Sequence, residues 1–512
     1  MSKINRRGFL KLGAAFSAGA MLSQLPMAQP NPIPALKDGK NIIVLLFDAM
    51  SAKNLSLYGY ERETTPNLAR LAQRATVYHA HSSAGNFTSP GTASTLTGMY
   101  PWKHRAFNLG GMIKRTLADQ NIFHFLGPTY HKTAFSQNLW ADTLLSQFNQ
   151  DINDHILPTS YNINRDLMLM GKLKNDLPIT WNTFSDFVFS LTLPSSLISG
   201  YVNAYESRRQ MPYYRYGFDD YPKGIPNMFP FANVAFLNEE VFAGITSQID
   251  LLSKKSQPYF GYFHFYSPHE PYKVSKKYIK RFDDDYKPVD KKQHPFAEGL
   301  GYGNLLEKRT QYDQLIANVD EEFGKLLDFM EEKGILDNTY LVITSDHGQM
   351  FERGEHGHTT SLLYEPVSKI PLMISAPGQT TRRDVHTPTS NVDLVPTFLH
   401  LAGRPIPDSV DGQILPGVGV KTNQDRAVYS LVCYGNSAFL PLTTATVSMY
   451  KDQYKLIYYL GYQKENDGYE LYHLRNDPEE LKNLAKSNSV VFKAMQEELL
   501  HTLDQANQPY RK

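Results

Sequence analysis

Two uninterrupted runs of apolar residues, each followed by acidic or histidine side chains, dominate the hydrophobic pattern of the chain. The first is NIIVLLFD at residues 41–48, and the second lies within NTYLVITSDHG at residues 338–348. Apolar runs without alternation are typical of strands covered on both faces, as in parallel α/β sheets. Ligand sites in such sheets form beyond the carboxyl ends of the strands. The pattern therefore predicts that Asp48 meets Asp346 and His347 at one edge of a sheet.

Segments with helical periodicity lie between and after these strands. From Tyr312 to Met330, apolar residues recur at the i, i+3, i+4 and i+7 spacing, and Gly334 ends the run just before the second strand. Another buried helix is predicted in SNVDLVPTFLHLAG at residues 390–403. Helices followed by strands in this way indicate an α/β fold with a doubly wound, mostly parallel sheet flanked by helices.

The pattern changes in two regions. Periodicity is lost between about residues 150 and 224, which we interpret as an insertion near the mouth of the site; a surface excursion without contact to substrate is the alternative. After about residue 420, two strands around a polar turn are predicted within residues 452–474. We therefore predict a catalytic domain over residues 41–420 and a small C-terminal α+β domain over residues 421–512.

A final helix is predicted close to the C-terminal end. Asp477 and Pro478, followed by two glutamates, have the residue types of an N-cap, a first helical position and an acidic first turn. The helix is predicted to start there and to reach about Ala506.

The N-terminal 28 residues have a separate character. Arg6 and Arg7 precede a mildly apolar run rich in glycine and alanine, which resembles a twin-arginine export signal with a cleavage site near Ala28. A short membrane anchor or a frayed terminus is the alternative, and the run is too short and too weakly apolar for a transmembrane helix. We predict a signal in residues 1–28, a Pro-rich linker in residues 29–40, and export to the periplasm or the extracellular space.

Composition excludes several classes of protein. The 512 residues carry a net charge of +1, so no bulk electrostatic attraction to nucleic acid or to an acidic membrane is expected. A single cysteine, Cys433, excludes an internal disulfide and a multi-cysteine metal site. Beyond the possible N-terminal signal or anchor, no segment approaches the roughly 20 apolar residues that span a bilayer.

The predicted strand ends suggest metal chemistry. Two carboxylates and one imidazole, from Asp48, Asp346 and His347, suit Zn²⁺ or Mn²⁺ and tolerate Mg²⁺ or Ca²⁺. Thr88 lies in NFTSPGTASTLTGMY, where Pro90 suits the first turn of a helix. Its hydroxyl is therefore placed at a helix N-terminus, where anions are favoured. It is either an ordinary helix cap or, if a metal activates it, a nucleophile.

Seven sequence blocks carry a resemblance to a known family. They are, in order, FDAMSAKNLSLYGYERETTPNLARLA, TSPGTASTLTGMYP, FYSPHEPY, TYLVITSDHGQMFERGEHGH, LYEPVSKIPLMISAPG, VDLVPTFLHLAG and YELYHLRNDPEELKNLA. Together they resemble the sulfatase family of the alkaline-phosphatase superfamily, from residue 41 to about residue 485. The resemblance implies an alkaline-phosphatase-like fold and a metal-centred site that cleaves a small-molecule, glycan or lipid-derived sulfate or phosphate ester.

The resemblance also implies roles for single residues. Asp48, Asp346 and His347 match metal ligands, and Thr88 matches the nucleophile, which is itself a ligand. The divalent metal would be Zn, Mn, Ca or Mg. His269, in PHEP, matches a histidine that contacts the substrate or the leaving group.

Two further histidines follow the strand end closely. His356 and His358 lie in GEHGH, and His358 falls near the position where many sulfatases have a substrate-binding lysine. The resemblance therefore implies that His358 contacts the ester anion. The alternative is that His358 joins a second metal site.

The chain departs from the sulfatase pattern at three places. The sulfatase nucleophile is a Cys or Ser followed by any residue, Pro, Ser and Arg, and it is converted to formylglycine; this chain has Thr88 there, and Thr92 replaces the arginine. Ala49 stands where many sulfatases have a second aspartate for Ca²⁺. The segment AFSQNLWAD at residues 134–142 lacks the Lys and His that bind sulfate in the family.

These departures favour phosphorus chemistry. Threonine nucleophiles are known among phosphodiesterases and phosphotransferases of the same superfamily, and a sulfo-threonine has no exit as easy as hydrolysis of a phosphoryl-threonine. We therefore predict an exported, metal-dependent hydrolase of phosphoesters or phosphodiesters, in which Thr88 attacks and His269 or His358 assists the leaving group. The alternatives are an arylsulfatase-like hydrolase, a phosphotransferase to a lipid or glycan acceptor, and an inactive binding protein that retains the fold.

Overall fold

The computed structural model describes residues 40–163, 197–227, 235–419, 425–462 and 468–511. The predicted export signal, nearly all of the predicted linker and residues 164–196 of the predicted insertion lie outside the described residues.

An eight-stranded sheet forms the centre of the larger part of the chain. The strands of this part are β1 (Asn41–Phe47), β2 (Thr76–Tyr78), β3 (His81–Ser82), β4 (His131–Ser136), β5 (Asp154–Ile156), β6 (Tyr259–Phe265), β7 (Thr339–Thr344), β8 (Met350–Glu352), β9 (Glu355–Gly357), β10 (Leu372–Ser375), β11 (Arg383–Val385) and β12 (Thr389–Ser390). The order in the sheet is β11-β2-β10-β7-β1-β6-β4-β5. Strand β10 is antiparallel to both of its neighbours, and the other pairings are parallel. The predicted mostly parallel sheet is confirmed.

Helices lie around this sheet and in the C-terminal part of the chain. They are α1 (Pro66–Ala72), α2 (Thr88–Thr97), α3 (Pro101–His104), α4 (Ile122–Leu126), α5 (Leu139–Gln147), α6 (Leu197–Tyr216), α7 (Asn238–Ser253), α8 (Tyr302–Glu332), α9 (Glu365–Ser368), α10 (Leu394–Leu401) and α11 (Ser489–Asn507). Short 3₁₀ helices lie at Ala52–Asn54, Ser56–Tyr58, Arg115–Leu117, Asn149–Asp151, Ile335–Asn338, Asn391–Asp393 and Gln508–Tyr510. Over the described ranges, no helix is both long enough and apolar enough to cross a membrane.

Strand β1 explains why the first apolar run has no polar alternation. Ile43, Leu45 and Phe47 enter one hydrophobic core, which also contains the buried face of α8. Their neighbours along the strand, including Val44 and Leu46, enter a second core on the opposite face of the sheet, together with α10. Each fully buried aliphatic side chain contributes about 1.5–3 kcal/mol. A polar residue on either face would forfeit that contribution.

Both predicted helices of the larger part are present, although their lengths differ from prediction. Helix α8 begins at Tyr302, ten residues before the predicted start. The hydrophobic pattern did not reveal its first turns, because they are mostly exposed or half-buried and carry no apolar stripe. It ends at Glu332, and Gly334 follows with a positive φ of 65°, as predicted for a glycine stop. Within the region that lost periodicity, Leu197–Tyr216 is helical and contains Pro212, so the loss of pattern did not mean the loss of helix.

The C-terminal part is a four-stranded antiparallel sheet with one long helix. The strands are β13 (Val428–Val432), β14 (Ala445–Lys451), β15 (Tyr454–Leu460) and β16 (Gly468–His473), paired in chain order. The predicted strand pair is β15 and β16, and α11 packs its apolar side chains into the same core. The prediction of a small α+β C-terminal domain is confirmed.

The predicted start of the final helix at Asp477 is wrong. The Asp477 carboxylate accepts hydrogen bonds from the backbone of Leu481 and Lys482 within a turn. Glu480 has a φ of 54°, which a helix does not tolerate. Helix α11 instead begins at Ser489, with Asn488 as its N-cap. Asp477 and Pro478 are residue types typical of a helix start. The buried contact between Glu480 and Lys455 instead holds this segment in a turn.

A buried ionic cluster joins the C-terminal domain to the larger part. Lys455 Nζ lies 2.8 Å from Glu480 Oε1 and 3.2 Å from Glu365 Oε1 in α9. The Lys455 and Glu480 side chains are fully buried. Burial raises the pKa of Glu480, and the Lys455 ammonium opposes that rise. The lysine is therefore the group that makes two buried carboxylates tolerable at this interface.

We expect Lys455→Ala to lower the free energy of unfolding by about 3–5 kcal/mol, because it leaves two buried carboxylates without their cation. Urea unfolding followed by circular dichroism measures this. Lys451→Ala is the matched control, because Lys451 makes a partly exposed pair with Glu498 at 2.9 Å and should cost at most about 1 kcal/mol. Equal losses in both variants would contradict the special role of the buried cluster.

Candidate active site

Three of four neighbouring strands are followed by polar side chains at one edge of the sheet. Strands β7, β1, β6 and β4 lie side by side and run parallel. Asp346 and His347 follow β7, Asp48 follows β1, and Asn138 follows β4. The adjacent ends of β1 and β7 are aligned, since Leu46 pairs with Thr344. The predicted meeting of the strand-end residues therefore occurs.

Asp48, Asp346 and His347 form one compact, fully buried cluster. One ligand atom from each lies within 4.8 Å of the others, and over the described ranges they are the one such group of three or more His, Cys, Asp or Glu residues. His347 Nε2 lies 3.4 Å from Asp48 Oδ1 and 3.5 Å from Asp346 Oδ2. Asp346 Oδ1 is held by the backbone N–H groups of Ala49 and His347.

The charges of this cluster are strongly coupled. Burial raises the pKa of Asp346, and the Asp48 carboxylate raises it further. Burial opposes ionisation of Asp48 as well, but the nearby imidazoles of His269, His264 and His347 hold its pKa well below the usual range. Burial lowers the pKa of His347, and the two carboxylates outweigh it, so the pKa lies above its usual value. Two carboxylates share one dry site, which calls for positive charge.

The unpaired atoms of the cluster fit a bound cation. Asp48 Oδ1, Asp346 Oδ2 and His347 Nε2 are buried and have no hydrogen-bond partner within the described ranges. The Gly348 carbonyl accepts a hydrogen bond from His347 Nδ1 at 2.9 Å, so Nε2 is the ring nitrogen that faces the carboxylates and that would bind a cation after losing its proton. Buried polar atoms without partners are costly, and a carboxylate–imidazole set is a divalent-metal donor set.

Thr88 does not cap the helix that it begins. The N-cap of α2 is Phe87, and its side chain makes no capping hydrogen bond. The fully buried Thr88 hydroxyl instead accepts a hydrogen bond from Asn138 Nδ2 at 3.1 Å, and the same amide nitrogen donates to Asp48 Oδ2 at 2.6 Å. Asn138 therefore links the Thr88 hydroxyl to the buried cluster, at the N-terminus of a ten-residue helix.

A glycine lets helix α2 approach the loop after β7 closely. A Cβ on Gly91 would lie 2.3 Å from the backbone oxygen of Asp346, well inside contact distance. The same oxygen accepts a hydrogen bond from the Ser83 hydroxyl, and Asn391 Nδ2 donates to the Gly91 carbonyl at 3.0 Å. Backbone packing therefore fixes the position of the Thr88 helix relative to Asp346.

The predicted histidines occupy different positions around the cluster. The ring of His358 lies 4.2 Å from the His347 ring and 4.8 Å from the His269 ring, measured between centroids. His269 is half-buried, and its Nδ1 lies 2.8 Å from the Glu270 carbonyl oxygen. His356 contacts the Tyr272 hydroxyl at 3.1 Å and does not join the cluster of three.

Gln349 fixes the tautomer of His358. The Gln349 amide oxygen accepts from His358 Nδ1 at 2.6 Å, and the amide nitrogen donates to the Tyr272 hydroxyl. Burial lowers the pKa of His358 well below its usual value, and the nearby His347 adds to the effect. His358 is therefore neutral, with an unprotonated Nε2 that suits a proton acceptor and not an acid. Of the two histidines predicted to assist a leaving group, His358 therefore does not suit proton donation.

Asn138→Ala is expected to lower kcat/KM by about 10²-fold, because two hydrogen bonds that hold Thr88 and Asp48 are lost. Steady-state kinetics on the full-length enzyme measures the effect. Asn121→Ala is the matched control: Asn121 caps α4 through its side chain just as Asn138 caps α5. Both variants lose about 1 kcal/mol of stability from the cap. An equal loss of activity in Asn138→Ala and Asn121→Ala would contradict a positioning role for Asn138.

Comparison with known families identifies the chain. The family model described as Sulfatase matches residues 40–144 and 195–404, more than half of the chain. The chain belongs to the sulfatase family. A second model, described as the C-terminal part of N-sulphoglucosamine sulphohydrolase, matches residues 354–508 of this sulfatase-family chain.

Similar proteins act on different esters. The choline-sulfatase of Rhizobium meliloti (strain 1021) is 25% identical over 476 residues, covering 87% of this chain and 82% of that protein. The crystal structure of the phosphonate monoester hydrolase of Agrobacterium radiobacter superposes with a TM-score of 0.65 at 19% identity, over 92% of this chain and 98% of that chain. The structure of BT4656 in complex with D-glucosamine-2-N,6-O-disulfate gives 0.62 at 18% identity, over 92% and 98%. The alkaline-phosphatase-like fold is therefore confirmed.

Membership of the family establishes the class of reaction. Sulfatase-superfamily members are hydrolases of sulfate or phosphate esters, and they use a divalent metal. This chain is therefore an ester hydrolase of that superfamily. Its buried cluster of Asp48, Asp346 and His347, next to Thr88, fits such a metal on the evidence of the unpaired atoms described above.

Three residues of the site were not predicted from the sequence. Asn138 lies in the segment noted for its missing Lys and His, and a polar residue directly after a strand was the available signal. Gln349 follows the SDHG motif immediately. His264 is a polar residue inside the otherwise apolar β6 strand, where burial on both faces makes a histidine unusual.

Proposed function

We propose that this sulfatase-family chain is a metal-dependent hydrolase of phosphoesters or phosphodiesters, with Thr88 as the nucleophile. The observation that carries the proposal is the Thr88 hydroxyl, buried and held by Asn138 beside Asp48 instead of capping its helix. Thr88 occupies the nucleophile position of the sulfatase motif, where a formylglycine precursor would be Cys or Ser. A threonine that keeps its hydroxyl suits transfer of phosphorus better than transfer of sulfate.

The protein groups around Thr88 support a two-step reaction. In the first step, Thr88 Oγ1 gives up its hydroxyl proton to solvent and attacks phosphorus, the bond to the leaving-group oxygen breaks, and His269 Nε2 supplies a proton to that oxygen. Backbone N–H groups in the first turn of α2 favour the anionic phosphoryl group. A bound divalent cation would lower the pKa of the Thr88 hydroxyl and offset negative charge on the ester oxygens.

The second step returns the enzyme to its starting state. Water attacks phosphorus of the phosphoryl-threonine and the bond to Thr88 Oγ1 breaks. His358 Nε2 accepts a proton from the water and passes it to the departing Thr88 oxygen, while His269 regains its proton from solvent. The neutral tautomer set by Gln349 suits this acceptor role. Transfer of the same phosphoryl group to an acceptor alcohol would make the enzyme a phosphotransferase. The two reactions differ only in whether water or an alcohol attacks the phosphoryl-threonine.

A sulfuric ester hydrolase is the second candidate, and the relatives favour it. The choline-sulfatase matches 87% of the chain, and BT4656 is bound to a sulfated glucosamine. The phosphonate monoester hydrolase shares the fold to a similar degree. We propose a small-molecule, glycan or lipid-derived phosphoester as the substrate, since Thr88 distinguishes this chain from the formylglycine pattern.

The two candidates are separated by rates on matched aryl esters. Turnover of p-nitrophenyl phosphate, bis-p-nitrophenyl phosphate and p-nitrophenyl sulfate is measured on one metal-quantified sample. We expect at least one phosphorus ester to react about 10²-fold faster than the sulfate, and mass spectrometry of acid-quenched enzyme to find a phosphoryl group on the Thr88 peptide. Faster sulfate turnover by enzyme with unmodified Thr88 would overturn the proposal. Product release only with an added alcohol would assign a transferase.

We also propose that the enzyme is exported through the twin-arginine signal of residues 1–28. The support is the pair Arg6 and Arg7 before a short apolar run. Cell fractionation of the wild type and of a variant with both arginines changed to lysine tests this. Equal amounts of both proteins outside the cytoplasm would contradict it.

A further inference from the structure

His264 lies in the centre of the site without a role assigned so far. It is the sixth residue of β6 and is fully buried. Its Nε2 lies 3.4 Å from Asp48 Oδ2 and 3.7 Å from Asp346 Oδ2. That nitrogen has no hydrogen-bond partner within the described ranges. A buried, unpaired imidazole nitrogen facing two carboxylates requires a physical explanation.

The position of His264 mirrors that of His347. Each Nε2 approaches the same atom of Asp346, Oδ2, at 3.7 Å and 3.5 Å respectively. Each also approaches one oxygen of Asp48 at 3.4 Å, His264 at Oδ2 and His347 at Oδ1. The two imidazoles therefore flank the carboxylate pair with nearly equal spacing.

The other ring nitrogens of both histidines have partners. His347 Nδ1 bonds the Gly348 carbonyl, and His264 Nδ1 lies 3.4 Å from the Tyr262 hydroxyl. A metal-binding histidine characteristically uses its second nitrogen in this way, which directs the first nitrogen at the ion. In His264 this arrangement directs Nε2 at Asp48 and Asp346.

The distances fit ligands of one ion better than hydrogen bonds. An N–H···O hydrogen bond spans about 2.7–3.2 Å, which is shorter than the separations at His264. Neighbouring nitrogen and oxygen ligands, each about 2.0–2.2 Å from one ion, lie roughly 3–4 Å from one another. The separation of 3.4 Å between His264 Nε2 and Asp48 Oδ2 has that size.

We propose that His264 is a further protein ligand of the cation held by Asp48, Asp346 and His347, a proposal that rests on the metal-dependent function above. The donor set then contains two carboxylates, two imidazoles and the Thr88 hydroxyl. Two imidazoles favour Zn²⁺ or Mn²⁺, whereas Ca²⁺ prefers a shell of oxygen ligands. His264 therefore selects which metal the site retains.

The test compares metal binding by full-length wild type, His264→Leu and His81→Leu. His81 is the matched control, because it is also fully buried and its Nε2 has no hydrogen-bond partner within the described ranges, but it lies on β3 and its Nδ1 contacts the Thr389 hydroxyl. Competition with a chromophoric chelator gives the Zn²⁺ and Ca²⁺ dissociation constants, and X-ray absorption of the Zn²⁺ proteins counts imidazole ligands.

We expect His264→Leu to weaken Zn²⁺ binding by about 10- to 100-fold, with a smaller change for Ca²⁺. The count of imidazoles should fall from two to one, and His81→Leu should match the wild type. One imidazole in the wild type overturns the proposal even if the variant fails to fold. Equal Zn²⁺ affinity in the wild type and His264→Leu also overturns it, while leaving the proposed function intact. A wild type without any tight divalent cation would instead refute the metal-dependent function itself.

Discussion

Thr88→Ala is expected to lower kcat by at least about 10³-fold, because the change removes the attacking oxygen. The fold should persist, since the change removes one small side chain from the first turn of α2. Asn138 keeps its contact with Asp48, so the stability loss should stay at about 1–2 kcal/mol. Kinetics on the preferred phosphorus ester, with metal content measured on the same preparation, gives both quantities.

Two variants control this experiment. Thr88→Ser keeps a hydroxyl and should stay within about tenfold of the wild type. Thr97→Ala removes an equally buried threonine from the last turn of the same helix, where its hydroxyl bonds the Ala93 carbonyl, and should leave kcat unchanged. Full activity of Thr88→Ala would exclude Thr88 as the nucleophile. If Thr88→Ala lost both its metal and its activity, Thr88 would act mainly as a metal ligand.

Asp346→Asn should abolish tight metal binding yet leave the metal-free protein at least as stable. The substitution keeps Oδ1, which accepts from the Ala49 and His347 backbone. It replaces Oδ2, which both imidazoles approach, with a neutral amide nitrogen. We expect metal affinity and kcat to fall by at least about 10²-fold each. The metal-free protein should gain on the order of 1 kcal/mol, because two buried carboxylates no longer repel each other.

Urea unfolding in the presence of a chelator measures the stability change, and elemental analysis measures the metal. Asp320→Asn is the control, since Asp320 is a buried carboxylate whose pKa is raised to about 6 by burial but whose oxygens accept from the Asn67 and Leu68 backbone. That variant should lose stability and keep its metal. A loss of several kcal/mol in metal-free Asp346→Asn would show that this carboxylate serves the fold instead of the ion.

The strands and the first group of site residues could be predicted because the signals are local. An uninterrupted apolar run predicts a strand that is buried on both faces of the sheet. The residue that follows such a strand is then expected at the edge of the sheet. Since β1 and β7 are parallel neighbours, Asp48 and Asp346 meet there without any further information. The helix around Tyr312 carried an equally local signal.

The rest of the site depends on contacts between distant residues. Asn138 lies 90 residues from Asp48, and nothing near either residue announces their hydrogen bond. His264 was hidden inside an apolar strand, and Gln349 acts only through the orientation of His358. At Asp477, local cap chemistry predicted a helix, but tertiary burial of Glu480 prevailed. Predictions failed wherever one distant partner outweighed the local pattern.

The close approach at Gly91 limits how this enzyme could change its chemistry during evolution. The formylglycine motif needs a serine at position 91 and an arginine at position 92, next to a Cys or Ser at position 88. A serine Cβ at position 91 would collide with the Asp346 carbonyl oxygen. Thr92 is fully buried, so an arginine in its place would have to displace the side chains around it. For the Thr88 nucleophile proposed above, conversion to a formylglycine enzyme would therefore require the loop after β7 to shift, and Asp346 would move with that loop.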